Sequence, residues 1–197
     1  MVDGGSRDGT DALVRERPGV RLVMARRGRG PQLDAGARAA RGRVLLFLHA
    51  DARLPDGAVD LVRRTLAVPG VVAGAFRTRT VLDDPTSRPW FRPVLPLADL
   101  RSHYTALPYG DQALFCLASA YHQCGGFPDQ PLLEDVELAR RLRRVGRVVV
   151  RPERVEVSGR RWSAHPWRTA LVMNTFPALY RMGVSAERLA RLYGAPR

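Results

Sequence analysis

The stretch Val44-Leu45-Leu46-Phe47-Leu48-His49-Ala50-Asp51 decides the fold. Its uninterrupted apolar run, bounded by Gly42 and Pro55, reads as a central strand of a parallel sheet, because strands covered by helices on both faces lose the alternation of half-exposed ones. The run stops on a histidine and an aspartate, which places Asp51 just past a strand's carboxyl end. Ligands of open α/β sheets bind at that edge, and a carboxylate there can hold a divalent cation against a diphosphate. Taken alone, Asp51 serves equally well to open the loop or to cap the helix that begins near Asp56.

Outward from this strand the elements alternate, which argues for an α/β sheet with helices on both faces. On the amino-terminal side, Met1 to Asp3 reads as the tail of a strand, Gly4-Gly5-Ser6 as a turn, Asp8 to Arg17 as a helix and Val20 to Ala25 as a strand. Pro31 to Arg41 suits a helix, with proline near its start and Gly42 past its end. On the other side, Asp56 to Val68 carries the helical stripe Val59, Leu61, Val62 and Leu66, and Val71 to Thr80 reads as a strand that leaves the core. Asp83 to Pro108 is rich in proline and reads as a loop with at most a short helix. Gln112 to Cys116 is a short strand, Ala118 to Cys124 a short helix and Val148 to Val150 a buried strand. Glu134 to Val145 is the clearest amphipathic helix, with Leu138, Ala139, Leu142 and Val145 on one face. His165 to Met182 and Ser185 to Tyr193 close the chain as helices.

At 197 residues and 45% hydrophobic content, the chain can bury one sizeable core and is most simply one domain. The net charge of +13 comes from a chain whose 32 basic residues are all arginine and which lacks lysine and isoleucine altogether. That bias reads as coding background, so nucleic acid is not the expected partner. The excess charge still suits anionic ligands or an acidic membrane surface. Cys116 and Cys124 match no zinc spacing, and reduced thiols in a cytoplasmic protein are the default reading. No apolar stretch is long enough to span a bilayer, and the amino terminus lacks the build of a signal peptide.

The chemistry-bearing residues fall in separate clusters. Asp3-Gly4-Gly5-Ser6 puts an acid at a strand end and small residues in the following turn, where a base or ribose can be bound and a ligand can approach the backbone. Glu134, Asp135 and Glu137 lie at a helix amino terminus, which the helix dipole favours whatever their role. Added to these are Gly30-x-Gln32-x-Asp34, His49-Ala50-Asp51, Gly110-Asp111-Gln112, Gly125-Gly126-Phe127 and Arg160-Arg161-Trp162. In this order and at these separations the set resembles the family 2 glycosyltransferases, most closely their compact bacterial branch, over nearly the whole chain.

The resemblance implies a GT-A fold, a Rossmann-like and mostly parallel sheet, in one domain. Its nucleotide-binding half would be residues 1–82, its acceptor and catalytic half 83–160, and its helical carboxyl-terminal extension 161–197. It implies a sugar transferred with inversion from a nucleotide-sugar donor, commonly a UDP-sugar, to an acceptor that the sequence does not disclose. Asp3 would contact the nucleoside, while Arg29 and Gln32 would lie near the nucleotide or its phosphates. Asp51 would be the metal-ligating end of the family's Asp-x-Asp motif, with His49 in place of the first Asp as a second ligand for Mn2+ or Mg2+. Asp135, the second acid of a Glu-Asp pair, would take the proton from the acceptor hydroxyl. Asp111, Glu134 and Trp162 would contact the acceptor or sugar, and Arg161 the diphosphate.

Two other functions remain open at this point: a nucleotidyltransferase of the same fold class, and a non-catalytic arginine-rich protein that binds polyanions or membrane surfaces. The apolar face of the last helices, with Trp167, Leu171, Val172, Phe176, Leu179 and Tyr180, is read first as core or as a homodimer contact. A peripheral contact with the inner face of the membrane, near a lipid-linked acceptor, is the sharper alternative. Chains resembling this family carry a further strand and helix before the Asp-Gly-Gly-Ser turn, the strand lying between those of Asp3 and His49. A misplaced start is therefore expected, with a gap, a frayed Asp3 segment or a substitute strand beside Val44 to Leu48 and an incomplete nucleoside pocket.

Overall fold

The computed structural model describes residues 1–82, 99, 108–160 and 166–193. The order is β1 (Val2–Asp3), α1 (Thr10–Arg15), β2 (Val23–Met24), α2 (Arg29–Ala39), β3 (Val44–Leu46), β4 (Ala52–Arg53), α3 (Ala58–Leu66) and β5 (Val71–Val81). A single 3-10 turn at Gly110–Gln112 then leads into β6 (Phe115–Leu117), α4 (Ala118–Gln123), α5 (Glu134–Val145), β7 (Arg147–Ser158), α6 (Pro166–Arg181) and α7 (Ala186–Tyr193). The alternation expected from the sequence is present, with β4 as an unforeseen addition.

The strands form two sheets, β1-β2 and β3-β6-β5-β7-β4. The spine of the larger one is the parallel ladder of β5 on β7, running from Val71 opposite Arg147 to Val81 opposite Ser158 with two irregularities in register. β6 lies antiparallel between β3 and β5, and β4 is antiparallel to the far side of β7. The sheet is thus mixed rather than mostly parallel, and β3 is an edge strand rather than a central one. The physical reason lies in what an apolar run records. It says that both faces are covered, and it carries no information on which strand lies alongside or in which direction.

Both faces of the larger sheet are indeed covered. Leu45, Phe47, Ala73, Ala75, Leu114 and Cys116 pack with Tyr121, Phe127, Leu138 and Leu142 on the side of α2, α4 and α5. Phe76, Phe115 and Val155 pack with Ala58, Leu61 and Val62 of α3 on the other side. Gly74 makes this second face possible, because a Cβ there would lie 2.5 Å from the Phe115 ring. Phe47 meets Phe127 edge-on at 5.0 Å, a geometry worth roughly 0.5–1.5 kcal/mol beyond burial alone. The thiol of Cys116 is wholly enclosed, and burial pushes it up to about 12.

β5 and β7 are longer and more central than their sequences suggest. β7 runs on past Val150 through Arg151, Arg154 and Glu156, which pair with β5, while Glu153 sits in the register irregularity and is joined to Arg151 at 2.7 Å. β5 stays in the sheet to Val81 and, as expected, its end leaves the core, Arg79 and Val81 being exposed. β1 and β2 pair with each other through Val2 opposite Val23 and Asp3 opposite Met24, and neither shares a ladder with β3. Among the described residues, therefore, no strand joins that of Asp3 to that of Val44. No helix among the described residues is long and apolar enough to cross a membrane.

Candidate active site

α5 begins on two buried acids. Glu134 is 2% and Asp135 6% exposed. The residue before them, Leu133, sits in the left-handed region at φ 61°, which costs a non-glycine residue about 1 kcal/mol or more and aims the helix start inward. Such burial of two carboxylates demands compensation, because an unpaired buried charge costs several kcal/mol. Arg29, first residue of α2, supplies it. Its Nε lies 2.9 Å from Glu134 Oε1 and its Nη2 3.2 Å from Asp135 Oδ2. Gly30 permits this approach of α2 to α5, since a Cβ there would meet Pro128 O at 3.2 Å and the Glu134 side chain at 3.5 Å.

Asp135 has further partners. The Gly110 N–H donates to its Oδ2 at 2.5 Å, and the Val136 N–H donates to its Oδ1 at 2.7 Å. The turn that presents Gly110 is locked from behind. Gln112 is fully buried, accepts from the Tyr109 N–H at 2.7 Å and donates to the Phe76 carbonyl at 3.0 Å. Ala113, at φ 48°, ends the turn in a second left-handed non-glycine conformation. Gly110 itself is required by crowding. A Cβ at 110 would stand 2.7 Å from Arg29 Nη2, 2.8 Å from Asp135 Oδ2 and 3.0 Å from His49 Nε2. These three atoms converge on one point, so the four segments carrying residues 29, 49, 110 and 135 meet there.

The electrostatics follow from this crowding. Burial works against the Arg29 charge, but Asp135, Glu134 and Asp111 outweigh it and hold the guanidinium above its ordinary value. Burial raises the Glu134 carboxyl above the usual range, Arg29 pulls it back, and the charge of Asp135 adds to the rise. Burial and the Arg29 charge lower His49, against the opposing pull of Asp135, Asp111 and Asp51, which leaves a neutral imidazole near neutrality. The third acid of the helix start, Glu137, turns to the fold instead. It pairs with Arg140 and Arg141 and accepts from the Tyr180 hydroxyl of α6 at 3.3 Å.

Asp3 and Gln32 form a second group. The Asp3 carboxylate accepts from the Ser6 hydroxyl at 2.6 Å and from the Ser6 N–H at 3.0 Å, and these bonds hold it below the usual carboxylate range. Gln32 fills the space against Gly4, where a Cβ would lie 3.0 Å from its side chain, and its Oε1 accepts from the Gly28 N–H at 3.3 Å. Gln32 and Arg29 stand one turn apart on α2, so the same helix start serves both groups. Asp34 faces elsewhere, accepting from the Tyr121 hydroxyl at 2.7 Å and pairing with Arg38 at 2.6 Å. Asp51 lies on the exposed turn between β3 and β4, where its carbonyl accepts from the Ser158 N–H. Arg161 and Trp162 lie outside the described residues.

Among the described residues no group of three or more His, Cys, Asp or Glu could hold a metal ion. His49 and Asp51 fit a cation shared with a phosphate ligand. The His49 ring is held neutral, its Nε2 is buried without a hydrogen-bond partner, and Asp51 follows two residues later. Further coordination would have to come from the ligand.

Of the residues singled out in the sequence, Arg29, His49, Asp111, Glu134 and Asp135 thus share one electrostatic neighbourhood, while Gln32 packs against Gly4, the residue after Asp3. Gly110 was legible only as part of a motif quoted for Asp111. Its own role shows in the crowding of its α-carbon.

The model of Glycosyl transferase family 2 matches residues 1–127. The chain belongs to that family. Among solved structures, the chain is similar to the mannosyltransferase PcManGT of Pyrobaculum calidifontis in complex with GDP-Man and Mn2+, with a TM-score of 0.65 at 22% identity. It is similar also to S. aureus TarS 1-349 in complex with UDP-GlcNAc, with a TM-score of 0.57 at 17% identity. A third is the glucosyl-3-phosphoglycerate synthase of Mycobacterium tuberculosis in complex with Mn2+, UDP-Glc and phosphoglyceric acid, with a TM-score of 0.51 at 17% identity. The matches cover 98, 80 and 79% of this chain but 58, 48 and 57% of theirs. They show the GT-A glycosyltransferase fold. No curated protein matches the sequence.

Proposed function

We propose that this family 2 chain transfers a sugar from a nucleotide-sugar, a UDP-sugar first among the candidates, to an acceptor hydroxyl with inversion at the anomeric carbon. The observation that carries the reading is the buried Glu134–Asp135 pair, whose second acid presents Oδ2 to the point shared by Gly110, Arg29 and His49. Asp135 is the base. It takes the acceptor's hydroxyl proton as that oxygen bonds to the anomeric carbon, while the bond to the diphosphate breaks and its electron pair leaves with the nucleoside diphosphate. Asp111 and Glu134 contact the acceptor or sugar. On the donor side, Asp3 and Gln32 hold the nucleoside, and Arg29 and Arg161 the diphosphate. Trp162 stacks on a sugar ring. His49 and Asp51 would hold a divalent cation, Mn2+ or Mg2+, which supplies neutralising charge to the leaving diphosphate when bound.

The donors named in the complexes of similar structures, GDP-Man, UDP-GlcNAc and UDP-Glc, support a nucleotide-sugar as the donor class. Leu171 of α6, Met182 just past its end and Leu192 of α7, which are 63, 80 and 69% exposed, support a cytoplasmic enzyme working at the inner face of the membrane. The test is thermal denaturation with UDP and with GDP, with and without Mn2+. A ligand that binds only the native chain raises the melting temperature, and the reading expects a rise that is larger with the metal. No rise with either nucleotide would overturn it.

A further inference from the structure

The arrangement around Asp135 is that of a base held shut. Oδ2 already accepts from the Gly110 N–H at 2.5 Å and faces Arg29 Nη2 at 3.2 Å, and Oδ1 accepts from the Val136 N–H at 2.7 Å. A carboxylate oxygen has two lone pairs, so Oδ2, the oxygen turned to the shared point, has none left for an incoming proton, while Oδ1 with its one partner keeps a lone pair away from that point. Its side chain is also only 9% exposed. Of the three partners, two are backbone groups fixed by a locked turn and by the helix itself. Arg29 is the one that can leave. Its side chain is 43% exposed, it is carried on a flexible stem at the first residue of α2, and two glycines, Gly28 and Gly30, flank it.

Resting on the glycosyltransferase reading above, we infer that Arg29 is a latch: it masks Asp135 and Glu134 in the free chain and is drawn off them by the diphosphate of the arriving donor. Arg29 is a positioning residue in this scheme, acting on the reaction through Asp135. The exchange is chemically matched. A guanidinium that hydrogen-bonds to one carboxylate oxygen and ion-pairs with another can fork onto two oxygens of a diphosphate, whose charge is at least as large and whose geometry is bidentate. Once the cation has moved, Oδ2 regains a lone pair directed at the point shared with Gly110 and His49. Donor binding thus frees Oδ2, the oxygen turned to the shared point, and in the donor-free chain that oxygen stays masked.

Because the carboxylates and the diphosphate compete for one guanidinium, removing a carboxylate should tighten binding of the nucleoside diphosphate, and only while Arg29 is present. The experiment is a double-mutant cycle read by calorimetry with UDP and with GDP in the presence of Mn2+. Arg29→Gln should weaken binding on the order of tenfold, and Glu134→Gln should tighten it about fivefold. Adding Glu134→Gln to Arg29→Gln should change nothing. A merely structural pairing, or a general loss of negative charge, would give the same tightening in both backgrounds and would overturn the latch while leaving the donor site standing. Failure of the parent chain to bind either nucleotide would overturn both.

Should Glu134→Gln not fold, Asp135→Asn takes its place in the same cycle, because it too removes a charge that competes for the guanidinium. It should tighten UDP or GDP binding while Arg29 is present and change nothing in the Arg29→Gln background. Equal tightening in both backgrounds, or none in either, would overturn the proposal.

Discussion

Glu134 and Asp135 stand on a helix of 12 residues packed against the five-stranded sheet, whereas Asp3 stands at the end of a strand of two residues paired to another strand of two. Around the acids, Leu138 and Leu142 are wholly buried, and the turn at Gly110–Gln112 is tied to β5 through the Phe76 carbonyl. Around Asp3, the carboxylate is bonded chiefly to Ser6, three residues away, and neighbouring Leu13, Val20 and Met24 are 63, 45 and 57% exposed. A two-stranded unit has little stability of its own, so one molecule holds the acids of α5 rigidly and the turn after Asp3 loosely. On the proposed reading, the loose side is where the donor has ordering work to do.

The largest expected effect falls on the rigid side. Asp135→Asn keeps the shape of the helix start and removes the base. Sugar transfer should fall by a factor of roughly 10²–10⁴ while UDP binds at least as tightly as before. Retained turnover would show that the buried acids are there for structure alone. Next, Phe47→Ala opens the core that supports the acids and should cost about 3–5 kcal/mol in urea denaturation. A loss below about 1 kcal/mol would erase the distinction between the two regions.

Gly110→Ala is smaller and more local. Its methyl group would stand 2.7–3.0 Å from Arg29, Asp135 and His49, so it should cost roughly 1–3 kcal/mol and lower transfer more than it lowers UDP affinity. Equal losses in both would place Gly110 outside the acid pocket. The smallest effect belongs to the loose side. The Asp3 carboxyl lies below its ordinary value of 3.8, so its contribution is present above that pH and is lost as the pH falls through the lower folded value. Melting curves of the parent and of Asp3→Asn should therefore differ slightly near neutrality and converge in acid. A gap that persists below about pH 2 would mean that charge is not what Asp3 contributes.

What could be read in the sequence follows the same division. The acid-bearing helix was legible because Leu138, Ala139, Leu142 and Val145 recur at helical spacing after three acids, a pattern that survives folding unchanged. The direction and neighbours of β3 were not, because pairing with β6 joins residues some seventy positions apart, such as Leu45 and Cys116. Of β7 only Val148 to Val150 was legible, because the arginines and glutamates that continue it break the apolar run while their charges find partners in the sheet. For Arg29 the resemblance implies only a place near the nucleotide or its phosphates. Its bond to Asp135 spans 106 positions and has no local signature.

Cys116 and Cys124 turn this contrast into something that can be clocked. Cys116 sits on β6 between β3 and β5, fully enclosed and protonated at any ordinary pH, while Cys124 at the end of α4 is partly accessible and donates to the Tyr121 carbonyl at 3.3 Å. A thiol-trapping reagent can modify Cys116 only when the sheet comes apart, so its labelling rate counts those openings in the native population. Cys124 needs only a local loosening of α4. Two native sulfurs, eight positions apart, therefore give a fast and a slow hand on one clock without any label being engineered in.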